Sequence, residues 1–137
     1  MKVKDIMSSK IRVISPETTL AEAATIMRDL NVGALPVAQK DGLLGMVTDR
    51  DIAIRAGARH WDFEEHTVEE IMSKHVETCL DSDELETAVH KMERKQIRRL
   101  PVMSKSHKLV GMISLGDVSQ KATHELSGEA LAAISHA

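Results

Sequence analysis

Aromatic side chains are almost missing from this chain: its 137 residues include one tryptophan, one phenylalanine and no tyrosine. A protein that grips single-stranded nucleic acid by stacking bases needs such platforms. The net charge of −3, from 18 Lys and Arg against 21 Asp and Glu, also removes general attraction to phosphate backbones. Nucleic acid is therefore not an expected partner. Only one cysteine is present, Cys79, so no internal disulfide can form, and it reads as a small apolar strand residue. No apolar run reaches the roughly 20 residues that span a bilayer, so no membrane partner is expected. Met1-Lys2-Val3-Lys4-Asp5 is charged and lacks a following apolar stretch, so no secretory signal is readable and a cytoplasmic location is the default expectation. Also missing are a Gly-x-Ser-x-Gly elbow, a P-loop and a His-Glu-x-x-His motif, which leaves no catalytic residue to name. The seven histidines, at 60, 66, 75, 90, 107, 124 and 136, form no spacing that imposes metal ligation.

What the chain does contain is a duplication. Val3-Lys4-Asp5-Ile6-Met7-Ser8 returns 65 positions later as Val68-Glu69-Glu70-Ile71-Met72-Ser73, and Ala34-Leu35-Pro36-Val37 returns as Arg99-Leu100-Pro101-Val102. Leu20, Ala23 and Met27 recur as Leu85, Ala88 and Met92 at the same offset. The offset then grows by one, pairing Gly45-Met46-Val47-Thr48-Asp49-Arg50-Asp51-Ile52 with Gly111-Met112-Ile113-Ser114-Leu115-Gly116-Asp117-Val118. Units of this size are marginal alone, so each copy needs its sibling to cover an apolar face. Eight methionines with Val, Ile, Leu and Ala must fill the core that aromatics would otherwise fill.

Each copy shows the same order of signals. Arg12-Val13-Ile14 reads as a strand ending at Ser15-Pro16. Thr18 or Thr19 caps a helix carrying Leu20, Ala23, Ala24, Met27 and Leu30 at 3.6-residue spacing, and Asn31 and Gly33 stop it. Residues 34–38 and 43–48 read as a hairpin about Lys40-Asp41-Gly42, and Asp49 or Asp51 opens a second helix. The second copy repeats this with Val76-Glu77-Thr78, a cap among 81–83, a helix over 85–94, strands 100–103 and 109–114, and a helix from Asp117. Each copy is therefore β-α-β-β-α. The expected organisation is a first repeat over 1–56, a linker over 57–67, a second repeat over 68–120, and a C-terminal helical extension over 121–137 carrying Leu126, Ala130, Leu131, Ala133 and Ile134.

With these motifs in this order, the chain resembles the cystathionine β-synthase (CBS) domain family in its stand-alone tandem form, the Bateman module. The resemblance spans about residues 3–120 and rests on Asp5-Ile6-Met7, Ala34-Leu35-Pro36-Val37, Gly45-Met46-Val47-Thr48-Asp49-Arg50-Asp51 and their echoes. It implies an α+β fold in which two pseudo-symmetric repeats pack sheet to sheet, and a homodimer of such pairs. It also implies clefts between the repeats for adenosine-containing ligands such as AMP, ADP, ATP or S-adenosylmethionine, acting as regulatory ligands with no required cofactor. Such modules generally sense ligands and do not catalyse, and the expectation is that this one passes its signal to a separate, unidentified protein effector or acts as a ligand buffer. The competing expectation is a structural or protein-interaction module with unoccupied clefts.

The Thr48-x-x-Asp51 and Ser114-x-x-Asp117 pairs sit where a strand gives way to a helix. A hydroxyl and free N–H groups there can accept phosphate, and a carboxylate three residues on can accept both ribose hydroxyls. The same pattern is also an ordinary helix cap. The resemblance implies that one cleft takes its adenine surface from Lys10, Ile11, Arg12, Val32, Gly33 and Ala34 and its ribose and phosphate contacts from Ser114, Gly116 and Asp117. The other would use Val76, Glu77, Ile97 and Arg98 with Thr48, Arg50 and Asp51. Arg98-Arg99 stands where the first copy has Gly33-Ala34, and adjacent arginines can supply bidentate donors to a polyphosphate. A merely solvated basic face, continued by Lys91, Arg94 and Lys95, competes with that reading. The two clefts are thus expected to differ, the one holding Ser114, Asp117 and Arg98-Arg99 being better suited to phosphorylated ligands.

Overall fold

The structure, a computed structural model, describes residues 1–40 and 42–121. The proposed C-terminal helix lies outside the described residues, as does Asp41 of the expected hairpin turn. The chain divides into two compact units, one formed by residues 12–76 and the other by residues 1–11 together with the chain from 77 onward. The chain therefore passes from one unit to the other at 11/12 and again at 76/77.

The 12–76 unit is built on helix α2 (Leu20–Leu30) and the antiparallel hairpin β1 (Ala34–Gln39) and β2 (Gly42–Thr48). Thr19 caps α2 by accepting the Glu22 N–H, and Asn31 ends it in the left-handed conformation at φ 54°. Leu20, Ala23 and Met27 turn inward on Leu35, Val37 and Val47. The expected strand at Arg12-Val13-Ile14 is reduced to one parallel bridge, Ile14 to Val37, which leaves Val13 39% exposed. Pro36 interrupts the ladder on that side, since it has no N–H to offer and its carbonyl alone meets the Ile14 N–H. After β2 comes the single helical turn α3 (Asp49–Asp51), which continues as a π-helical turn over Ile52–Ala56. Residues 57–67, expected as a linker, are tied down: Trp61 and Phe63 pack on this core, and Leu20 and Ala21 donate to the carbonyls of His66 and Phe63.

The other unit repeats the plan. Its three-stranded sheet has the order β3 (Cys79–Leu80), β4 (Arg99–Met103), β5 (Leu109–Ser114), with helices α4 (Leu85–Lys95) and α5 (Leu115–Lys121). The strand expected at 76–78 falls at 79–80, where Cys79 pairs with Val102 just as Ile14 pairs with Val37. Cys79 is 4% exposed and burial pushes its thiol up to about 12, so it is the apolar strand residue expected. The acids at 81–83 do not cap α4. Asp83 instead accepts the Leu80 N–H in the preceding turn, and Glu84 occupies the cap position without a side-chain bond. Helix α5 begins at Leu115, two residues before Asp117, because Ser114 is its cap.

In both units the last strand is extended by an Ile-Met-Ser segment from the opposite repeat of the sequence. Helix α1 (Val3–Ile6) buries Val3 and Ile6 with Leu100, Val102 and Ile113, and Ser8 forms a bridge with Met112 on β5. Its echo, the turn Val68–Glu70, buries Val68 and Ile71 with Leu35, Val37 and Val47, and Ser73 bridges Met46 on β2. The glycines before those methionines make the approach possible. A Cβ on Gly45 would stand 2.5 Å from the Ser73 carbonyl, and one on Gly111 would stand 2.7 Å from that of Ser8. Among the described residues, no helix is long and apolar enough to cross a membrane.

Candidate functional site

Each unit gathers its chemistry at the open end of its hairpin. In the 12–76 unit, Ala34 pairs with Thr48 at the end of the ladder and the Asp49 N–H donates to the Gly33 carbonyl at 3.0 Å. That register brings Val32, Gly33 and Ala34 beside Thr48, Arg50 and Asp51. In the other unit, Arg99 pairs with Ser114 and the Leu115 N–H donates to the Arg98 carbonyl at 3.0 Å, which brings Ile97, Arg98 and Arg99 beside Ser114, Gly116 and Asp117.

The hydroxyl–carboxylate pairs are reciprocal caps. Thr48 Oγ1 accepts the Asp51 N–H at 3.0 Å while Asp51 Oδ2 accepts the Thr48 N–H at 3.0 Å. Ser114 does the same with Asp117 and adds a hydroxyl bond to Asp117 Oδ2 at 3.0 Å. In both pairs the cap falls on Oδ2. Asp51 Oδ1 instead faces the Arg55 guanidinium, with Nε 3.8 Å away. Capping therefore fixes the carboxylate's orientation while using one of its two oxygens.

The remaining expected residues lie at the two crossings between units. Lys10 and Ile11 end the first crossing's leader and Arg12 follows it, while Val76 and Glu77 flank the second. These stretches are not strands. Among the described residues no backbone-to-backbone hydrogen bond reaches 10–12 or 76–77, so their peptide groups remain available to an outside partner. Lys10 and Arg12 are exposed, and Glu77 pairs with Lys95 at 3.4 Å. Arg98 and Arg99 are exposed, whereas Ile97 packs partly on its core.

Arg55 and Lys121 escaped the reading of the sequence. Arg55 donates from Nη1 to the Ile71 carbonyl at 2.7 Å, so it ties Asp51 to the segment that crosses β2. Lys121, its echo, reaches the Ile6 carbonyl at 3.5 Å. Their shared basic character at equivalent repeat positions was the available signal. Asp49, read from the sequence as a helix opener, also turns toward Gly33: its Oδ1 accepts the Arg50 N–H at 2.8 Å, and its Oδ2 lies 3.2 Å from where a Gly33 Cβ would be. Among the described residues no group of three His, Cys, Asp or Glu side chains is arranged to hold a metal ion.

Comparison with known proteins identifies the family and the fold. The CBS domain model matches twice, over residues 3–56 and 68–123. The CBS domain-containing protein YhcV of Bacillus subtilis is 42% identical over 135 residues, covering 98% of this chain and 95% of its own. Among solved structures, Hypoxic Response Protein I with two coordinated zinc ions is 33% identical, with a TM-score of 0.77 over 88% of this chain and 98% of that one. The CBS domain pair of MJ0100, in complex with 5′-methylthioadenosine and S-adenosyl-L-methionine, is 30% identical with a TM-score of 0.76 over 88% and 94% of the two chains. CBSX2 in complex with AMP is 26% identical with a TM-score of 0.76, over 87% and 93%. Two matched repeats, a shared fold and a near full-length relative place this chain in the CBS domain family, as a tandem pair.

Proposed function

We propose that this chain is a regulatory module that binds an adenosine-containing ligand, an adenine nucleotide or S-adenosylmethionine, and passes the signal to a separate protein as a cytoplasmic homodimer without catalysing a reaction. The observation that carries this reading is the repeated hydroxyl–carboxylate pair, Thr48 with Asp51 and Ser114 with Asp117, each carboxylate held by one oxygen at the end of its hairpin. The oxygen outside the cap would accept the ribose hydroxyls. The unpaired backbone at Lys10, Ile11, Arg12, Val76 and Glu77 would read the adenine edge, with Val32, Gly33, Ala34 and Ile97 beside it, and Arg50, Arg98, Arg99 and Gly116 would contribute near the phosphates. The division of each cleft's contacts between repeats is carried over from the family resemblance. Solved relatives bound to methylthioadenosine, S-adenosylmethionine and AMP support the ligand class.

Ligand bias requires differential affinity for two states of the module. A purely structural role is the second reading, favoured by the capping bonds themselves. A thermal-shift panel with AMP, ADP, ATP, NAD and S-adenosylmethionine separates the two. Stabilisation by at least one ligand, lost in the Asp51→Ala, Asp117→Ala double variant, is the expected result. No shift with any ligand defeats the reading.

A further inference from the structure

The two hairpin ends differ in charge at equivalent places. In the 12–76 unit the Asp49 carboxylate folds back over Gly33, with Oδ2 3.2 Å from the site of a Cβ and Oδ1 fixed by the Arg50 N–H. The positions equivalent to Gly33 and Asp49 in the other unit are Arg98 and Leu115. Leu115 is 5% exposed and belongs to the core, and Arg98 is exposed. The two changes are coupled by the same backbone bond, from the N–H of residue 49 or 115 to the carbonyl of residue 33 or 98. Glycine makes room for the carboxylate, and where the carboxylate is replaced by a buried leucine an arginine stands instead of the glycine.

From this exchange we infer that Asp49 is a specificity-determining residue. It makes the hairpin end that holds Thr48 and Asp51 reject phosphorylated ligands in favour of adenosyl ligands that are neutral or cationic beyond the ribose, a thioether or a sulfonium. The other end, where Arg99 pairs with Ser114 and the Leu115 N–H meets the Arg98 carbonyl, takes the phosphorylated ones, so that Arg98 is assigned here with Ser114 and Asp117 and not with the Thr48 cleft in which the resemblance put it. The inference rests on the adenosyl-binding reading above and deepens it. The charge balance supports it. At the first end, Arg50 and Arg55 stand against Asp49 and Asp51, with Arg55 already engaged by Asp51 and the Ile71 carbonyl. At the second, Asp117 is the one carboxylate of the motif, and Arg98 and Arg99 stand at the same hairpin end. A fixed carboxylate within several ångströms of a phosphate is repulsive at any plausible local dielectric, and its exposure limits the effect to about fivefold to tenfold in affinity.

The test is calorimetric titration of the full chain with AMP, adenosine, methylthioadenosine and S-adenosylmethionine. Each is titrated into the Asp117→Ala background, which leaves the Thr48/Asp51 end, with and without Asp49→Asn. The same ligands into Asp51→Ala, with and without Arg98→Gln, probe the other end. Circular dichroism melts confirm that each variant is folded. Asp49→Asn should raise the affinity for AMP relative to adenosine about fivefold to tenfold, and Arg98→Gln should lower that ratio at the other end. Gly33→Ala, whose Cβ would displace the carboxylate, should move the ratio in the same direction as Asp49→Asn. Ratios unchanged within twofold in chains that do bind adenosine overturn the inference and leave the adenosyl-binding reading standing. A chain that binds none of the four ligands overturns both.

Discussion

The two units solve one packing problem in the same way and differ in charge at their hairpin ends. In each, a helix and a hairpin form a half-core, and a leader drawn from the other repeat of the sequence finishes it: Val3 and Ile6 with Leu100 and Ile113, Val68 and Ile71 with Leu35 and Val47. Position after position is interchangeable, down to Ile14 on Val37 against Cys79 on Val102. At the hairpin ends the correspondence stops, with Gly33 and Asp49 against Arg98 and Leu115. Packing demands keep most buried positions of the duplicated copies alike, and where the buried Leu115 replaces Asp49 the exposed Arg98 replaces Gly33. The difference is thus where function has room to act.

The shared part can be broken symmetrically. Leu35→Ala and Leu100→Ala, at fully buried equivalent sites, should each lower stability by about 3 kcal/mol in chemical denaturation. A large inequality between them would show that the two half-cores do not contribute alike. Gly45→Ala and Gly111→Ala come next, at about 2 kcal/mol each, because the new Cβ meets a leader carbonyl at 2.5 or 2.7 Å. Gly57→Ala, whose Cβ would meet the Ile52 carbonyl oxygen at an ordinary 3.6 Å, is the control and should be stable by comparison.

Much of this pairing was legible in the sequence. The repeat offset, the Thr19 cap, the Asn31 stop and the β5 boundaries at Leu109 and Ser114 all follow from local chemistry, because caps, turns and alternation act over a few residues. The capping alternative for Thr48 and Asp51 was also readable, and the structure shows it realised. What could not be read is non-local. Whether Arg12-Val13-Ile14 forms a strand depends on a partner more than twenty residues away, and Pro36 in that partner limits pairing to one bridge. The leader exchange is invisible to periodicity, although Gly45 and Gly111 were conspicuous in the motif; their purpose emerges only when a second backbone is found against them. Asp49 over Gly33 likewise needs the hairpin register before its position means anything.

Smaller effects sharpen the comparison. Removing one cap carboxylate, Asp51→Ala or Asp117→Ala, should cost about 1 kcal/mol of stability while abolishing ligand binding at that end, so a stable variant that no longer binds separates the two roles of the residue. The least perturbing probe is Cys79. Its thiol is neutral in the folded chain up to about 12, against 9.0 for an ordinary thiol, so the unfolded chain loses that proton first as pH rises. Its contribution to stability is complete below pH 9 and declines between 9 and about 12. Alkylation at pH 8 should accordingly be far slower in the native chain than in denaturant, and an Ile14→Cys, Cys79→Ala variant should behave alike if the two strand positions are equivalent.

The proposed function requires the repeated hydroxyl–carboxylate pairs to be ligand contacts as well as caps. Calorimetric titration of S-adenosylmethionine and AMP into the unmodified chain, and then into the Asp51→Ala, Asp117→Ala double variant, tests it most directly. Saturable binding of at least one ligand by the unmodified chain, absent from a double variant that still melts cooperatively, is the predicted result. Undiminished binding by the folded double variant, or no heat from the unmodified chain with either ligand, would contradict it.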